Sequence, residues 1–188
     1  MISGRNDVIM RRWMAPALLV PLLSLLAACT PADEPVVALA VQDGEPVGVL
    51  VTCDGAFSQL SVYENAAEGD PTGRPLIRWG VNGTPTSEIV EVPLLGQPPQ
   101  GWTIDETSRD IPASESEVPI RTEALTDLTA GVTYSLTGSS RRDAIPVRFT
   151  IADFTRIGTD QVLAPVNHEK TTVVSRDAFV RASRKTCG

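Results

Sequence analysis

Two regimes of apolar patterning divide the chain. Residues 13–26 form an unbroken uncharged stretch, whereas from Val36 onward the apolar residues come in short runs separated by Gly, Pro, Asn and Asp, the punctuation of strands and turns. Residues 36–41 are apolar enough for a first strand. Val47, Val49, Val51 and Cys53 alternate along one face. Leu60 and Val62 share a side of 59–64, Trp79 sits within 76–81, and Ile89 stands apart from Glu88 and Glu91. Further strands are expected over 102–104, 118–122, 133–136 and 146–151. Near the end the period lengthens: Phe179, Val180 and Ala182 follow Ser175, a suitable N-cap, and Asp177, which suits a first helical turn. Short strands without alternating helices predict a mainly β fold, an antiparallel β-sandwich closed by one short C-terminal helix, with Trp79 and Tyr134 in its core.

The first regime has three zones. Arg5, Arg11 and Arg12 precede the uncharged stretch, and Leu26-Ala27-Ala28 places small residues directly ahead of Cys29. Basic, then apolar, then small is the order of a secretory signal. The apolar zone is shorter than the roughly 20 residues a permanent bilayer-spanning helix needs. Leu26-Ala27-Ala28-Cys29 resembles the bacterial lipobox. That resemblance implies cleavage before Cys29, a diacylglycerol on the Cys29 thiol, and a chain anchored to the extracytoplasmic face of the cell membrane. The implied organisation is a signal peptide over 1–28, a lipid-anchored tether over 29–45 containing the Pro-Ala-Asp-Glu-Pro stretch, and a β-sandwich domain over 46–188.

Lipidation of Cys29 would account for an odd cysteine count, because only Cys53 and Cys187 then remain. Beyond the inner membrane a disulfide between them is permissible. Two free buried thiols, or an intermolecular bridge through Cys187, are the competing readings.

Without residues 1–28 the chain keeps 13 basic and 22 acidic residues, a net charge of −9. An acidic surface disfavours nucleic acid. Charge is unevenly spread, since residues 170–188 are net +4 and 29–169 net −13. A basic end folding back on an acidic body is one consequence; a patch for an anionic partner is the other.

Leu128-Thr-Ala-Gly131-Val-Thr-Tyr134 resembles the tyrosine corner of fibronectin type III and related immunoglobulin-like domains, with Ala130 where proline is usual. The resemblance implies a turn at Gly131 after which the Tyr134 hydroxyl bonds back to nearby backbone.

Little in the residue inventory points to a reaction. His168 is the one imidazole, so a two-histidine metal site cannot be built within one copy. Gly-x-Ser-x-Gly, Ser-x-x-Lys and Cys-x-x-Cys do not occur, and no glycine-rich phosphate loop carries its lysine. No cofactor or metal site is expected. The remaining chemical possibility is a carboxylate pair acting on a glycan: Trp102, Asp105, Glu106 and Asp110 lie close in sequence, and an exposed indole beside acids suits a sugar. The expected role is therefore a lipid-anchored, non-catalytic binding or assembly module for an envelope protein or wall polymer. A carboxylate-based glycan hydrolase and a purely structural spacer are the alternatives.

Overall fold

A computed structural model describes residues 33–53, 58–65, 76–105 and 122–187. The first two strands are a hairpin, β1 (Val37–Gln42) and β2 (Glu45–Val51), in which Gln42 faces Glu45. Asp43 and Gly44 link them with φ of +52° and +86°. Two successive left-handed residues make the primed turn whose twist matches that of the flanking strands, the reason Asp-Gly is favoured there. The β1 strand is flanked on both sides, so the folded domain starts well before residue 46 and the expected tether over 29–45 is too long. The run of five buried residues from Val36 to Ala40 explains why: it cannot remain in solvent.

β5 (Ile89–Pro93), β10 (Gln161–Pro165) and β11 (Thr171–Ser175) complete this sheet in the order β11-β10-β1-β2-β5, antiparallel throughout. A second sheet contains β3 (Ser58–Glu64), β4 (Leu76–Gly83), β8 (Tyr134–Ser139) and β9 (Val147–Phe149). Its order is β6-β4-β3-β8-β9, where β6 (Trp102–Ile104) shares the outer edge of β4 with β7 (Thr122–Ala124). The β7 strand pairs with β4 in parallel and is the exception to the antiparallel pattern.

The two sheets bury a common core. Leu39, Leu50 and Leu163 from the first meet Leu60, Val62, Leu136, Tyr134 and Phe149 from the second. The opposite face of the first sheet, Ala38, Ala40, Val47, Val49, Val51, Val162 and Ala164, is equally buried. It is covered by α1 (Arg176–Thr186) through Phe179 and Val180. Alternation therefore separates two apolar faces here, and the central strands read as nearly continuous apolar runs.

Four features hold α1 in place. The Ser175 hydroxyl caps it by accepting the Ala178 N–H at 3.3 Å. Ser183, fully buried, donates its hydroxyl to the Pro35 carbonyl at 2.6 Å. Arg184 forks onto Glu88, Nε to Oε1 at 2.5 Å and Nη2 to Oε2 at 2.8 Å. The last link is covalent: Cys187 is joined to Cys53, 134 residues away, with Cα atoms 5.1 Å apart. Thus the basic C-terminal segment folds back on the body.

The stretch around Asn167-His168-Glu169-Lys170 is the exposed turn of the β10–β11 hairpin, where the Asn167 side chain accepts the N–H groups of Glu169 and Lys170, both at 2.9 Å. Residues expected to extend β9 to 151 instead enter a short 3-10 helix, Ile151–Arg156, started by reciprocal bonds between Thr150 and Asp153.

Candidate ligand groove

The outer face of the second sheet follows from the alternation of β3. Leu60 and Val62 point into the core, so Gln59, Ser61 and Tyr63 point out. Register then sets their neighbours. Tyr63 lies between Arg78 and Ser135, Ser61 between Gly80 and Thr137, and Gln59 between Asn82 and Ser139. The result is a face of hydroxyls and amides with one phenol and one guanidinium.

Arg78 is held on this face by side-chain contacts. Its Nη2 donates to the Ser61 hydroxyl at 2.7 Å and its Nη1 lies 3.2 Å from Oδ2 of Asp105. Gly80 makes this possible, because a Cβ there would stand 3.0 Å from the Ser61 hydroxyl and 3.1 Å from the guanidinium. Asp105 is fixed in turn by its N–H, which donates to the Gly80 carbonyl at 2.8 Å. With both side chains mostly buried, at 16% and 19% exposure, the pair forms a rigid wall.

Beside that wall runs an open groove of about 540 Å³, within the size range of small-ligand clefts. Ser61, Tyr63, Thr137 and Ser139 form its floor, and Leu76, Asp33, Asp143 and Pro146 its sides. The acidic side is braced by backbone: the Glu34 N–H donates to the Asp143 carbonyl and the Ile145 N–H to that of Glu34. His168 Nε2 lies 3.6 Å from Asp33 Oδ2 at this rim. Such a lining can hydrogen-bond a polar ligand along its length. A second hollow of about 580 Å³ lies over the disulfide, lined by Thr52, Pro85, Ser87, Glu88 and Arg184. There the hydrogen bonds from Arg184 hold the Glu88 carboxyl below its ordinary pKa.

The residues expected from sequence are distributed differently. Trp102 is buried, 6% exposed, and closes against Gly83, where a Cβ would meet its ring carbon at 2.7 Å. The exposed indole that a sugar platform requires is absent from that position, because residue 102 faces the sheet interior opposite Gly83. Asp105 is engaged by Arg78 as described. Glu106, Asp110 and Cys29 lie outside the described residues. Gly131 adopts φ of +81°, and the Thr129 N–H donates to the Tyr134 hydroxyl at 2.8 Å while the ring is 1% exposed and packs on Phe149. Among the described residues no cluster of three or more His, Cys, Asp or Glu side chains is placed to hold a metal. Sequence reasoning missed Ser61, Tyr63, Arg78 and Thr137; their signal was the polar half of the alternation in 59–63 and 135–139.

No family model, no curated protein and no solved structure matches the chain.

Proposed function

We propose that this chain is a lipid-anchored envelope module that holds a polar wall polymer in the groove over β3, β4 and β8 without transforming it. The observation that carries the reading is the lining of that groove: hydroxyls, an amide, a phenol and a braced Arg78 arranged for recognition. A wall glycan suits a floor of Ser61, Thr137 and Ser139 flanked by Tyr63. The hydrolase alternative loses support because Trp102 is turned inward.

The anchor belongs to the same proposal. Cys29 carries the diacylglycerol, and the domain stands at the extracytoplasmic face of the membrane. An oxidising compartment there is consistent with the Cys53–Cys187 bridge. The architecture further resembles immunoglobulin-like domains. Strands β1, β2 and β5 sit where A, B and E do, β3, β8 and β9 where C, F and G do, and the tyrosine corner opens the F-like strand β8.

Two experiments test these elements separately. Intact-mass analysis of membrane-extracted protein should show a chain beginning at Cys29 with added acyl mass, lost in Cys29→Ser; a soluble wild-type chain cut elsewhere would refute the anchor. Co-sedimentation with purified wall material should be strong for the wild type and lost in Thr137→Trp, which fills the groove. Equal sedimentation of the two would refute the site.

A further inference from the structure

The edges of the two sheets are unequally protected. β5 carries Glu91 and ends at Pro93, and β6, β7 and β9 have only three residues each. β11 is different: Thr171-Thr-Val-Val-Ser175 is a five-residue edge with neither charge nor proline, lacking the devices that keep an edge from pairing.

Its free hydrogen-bonding groups can be assigned. At one end of the β10–β11 ladder the Val166 N–H donates to the Lys170 carbonyl, and at the other the Arg176 N–H donates to that of Asp160. In the register that pairs Leu163 with Val173, alternate residues share the same direction. Lys170, Thr172, Val174 and Arg176 therefore turn their backbone groups toward β10. Thr171 and Val173 turn their N–H and C=O groups outward, as Ser175 does its N–H, its carbonyl being the first acceptor of α1. The side chains tell the same story: Val173 packs at the margin of the inter-sheet core and Val174 at the margin of the cluster under α1, each only half-buried.

We infer that β11 is an assembly edge whose occupant is β11 of a second copy of this chain, added antiparallel about a two-fold axis through Val173. In that register each Val173 exchanges both backbone hydrogen bonds with its counterpart, and each Ser175 N–H donates to the Thr171 carbonyl of the other copy. Thr172 lies opposite Val174 of the other copy, so both half-buried valines gain cover. The segment is nearly self-complementary, hydroxyl residues at its ends and valine at its centre, which is what an isologous contact requires. Flanking charge does not oppose it. Lys170 falls opposite Arg176 of the second copy, but Arg176 is already ion-paired with Glu91 of its own chain, and Asp177 adjoins it. This inference is independent of the groove and of the lipid anchor.

Equilibrium sedimentation of the full chain, disulfide intact, in density-matched detergent tests it from about 10 µM to about 1 mM, because a contact this short belongs to the weak end of specific interfaces. A monomer–dimer equilibrium is expected. Val173→Pro removes an outward N–H that the fold does not use, and proline is tolerated at such edge positions; it should weaken association at least about tenfold. Thr172→Lys, whose own backbone bonds face β10, places a charge against Val174 of the other copy and should do the same, and it decides the matter if the proline variant fails to fold. A wild-type monomer throughout the range, or association unchanged in a folded variant, would overturn the inference.

Discussion

Removing the Cys53–Cys187 bridge perturbs the molecule where local and global stability meet. The bridge closes a loop of 134 residues, for which the chain-entropy model gives about 5 kcal/mol, against typical measured values of about 2–4 kcal/mol. Other forces hold the helix independently. Phe179 and Val180 are buried at 3% and 7% exposure, worth about 1.5–3 kcal/mol each, and the Ser183 bond to Pro35 adds about 1 kcal/mol. The reduced protein should therefore keep α1 docked while losing about 3–5 kcal/mol of global stability. In a domain of this size each kcal/mol shifts Tm by about 2–4 °C, so a fall of roughly 6–20 °C is expected. Urea titrations of the oxidised protein and of the Cys53→Ala/Cys187→Ala variant measure the loss, and amide exchange in α1 reports the docking. A loss below about 1 kcal/mol would contradict the long-loop argument. A native state in which the α1 amides exchange freely would refute the claim that the non-covalent contacts retain the helix without the bridge.

Three further outcomes follow from individual contacts. Tyr134→Phe removes the acceptor for the Thr129 N–H and should cost about 1 kcal/mol in urea unfolding with the fold unchanged; no loss would mean the corner bond contributes nothing. Trp102→Ala should cost about 3–5 kcal/mol, the penalty of emptying a core site, whereas an exposed platform would cost almost nothing. The Glu88 carboxyl is held below its ordinary pKa by hydrogen bonds from Arg184, so its stabilising contribution is complete above the unfolded-state pKa and is lost as pH falls through the lowered folded value. A carboxyl-carbon NMR titration should show that depressed midpoint rising in Arg184→Ala, and an unchanged midpoint would dissociate the two groups.

The parts of this fold that were legible in sequence are those governed by local rules. Apolar alternation located β2 to β6 closely, Ser175 announced the start of α1, and the pairing of Cys53 with Cys187 followed from an odd count once Cys29 was set aside. Residues 36–41 likewise had strand character and form β1, joined to β2 by the Asp43-Gly44 turn. Features set by distant partners were not legible. Residues 162–165 are buried because β1 and β11 flank β10 and α1 lies above it; no feature within five residues carries that information. Trp102 was expected as an exposed indole because its inward direction depends on pairing with Gly83 on a different strand. The groove is the least local feature of all. Ser61 meets Thr137 and Tyr63 meets Ser135 only through the β3–β8 register.

The central claim, recognition without chemistry in the groove over β3, β4 and β8, is tested most directly by titrating soluble wall-glycan fragments into the isotopically labelled full chain in detergent while assaying the same samples for cleavage products. The account predicts amide shifts clustered at Gln59, Ser61, Tyr63, Thr137 and Ser139, with every fragment recovered intact. Shifts centred elsewhere, no shifts at all, or fragments shortened by the protein would contradict it.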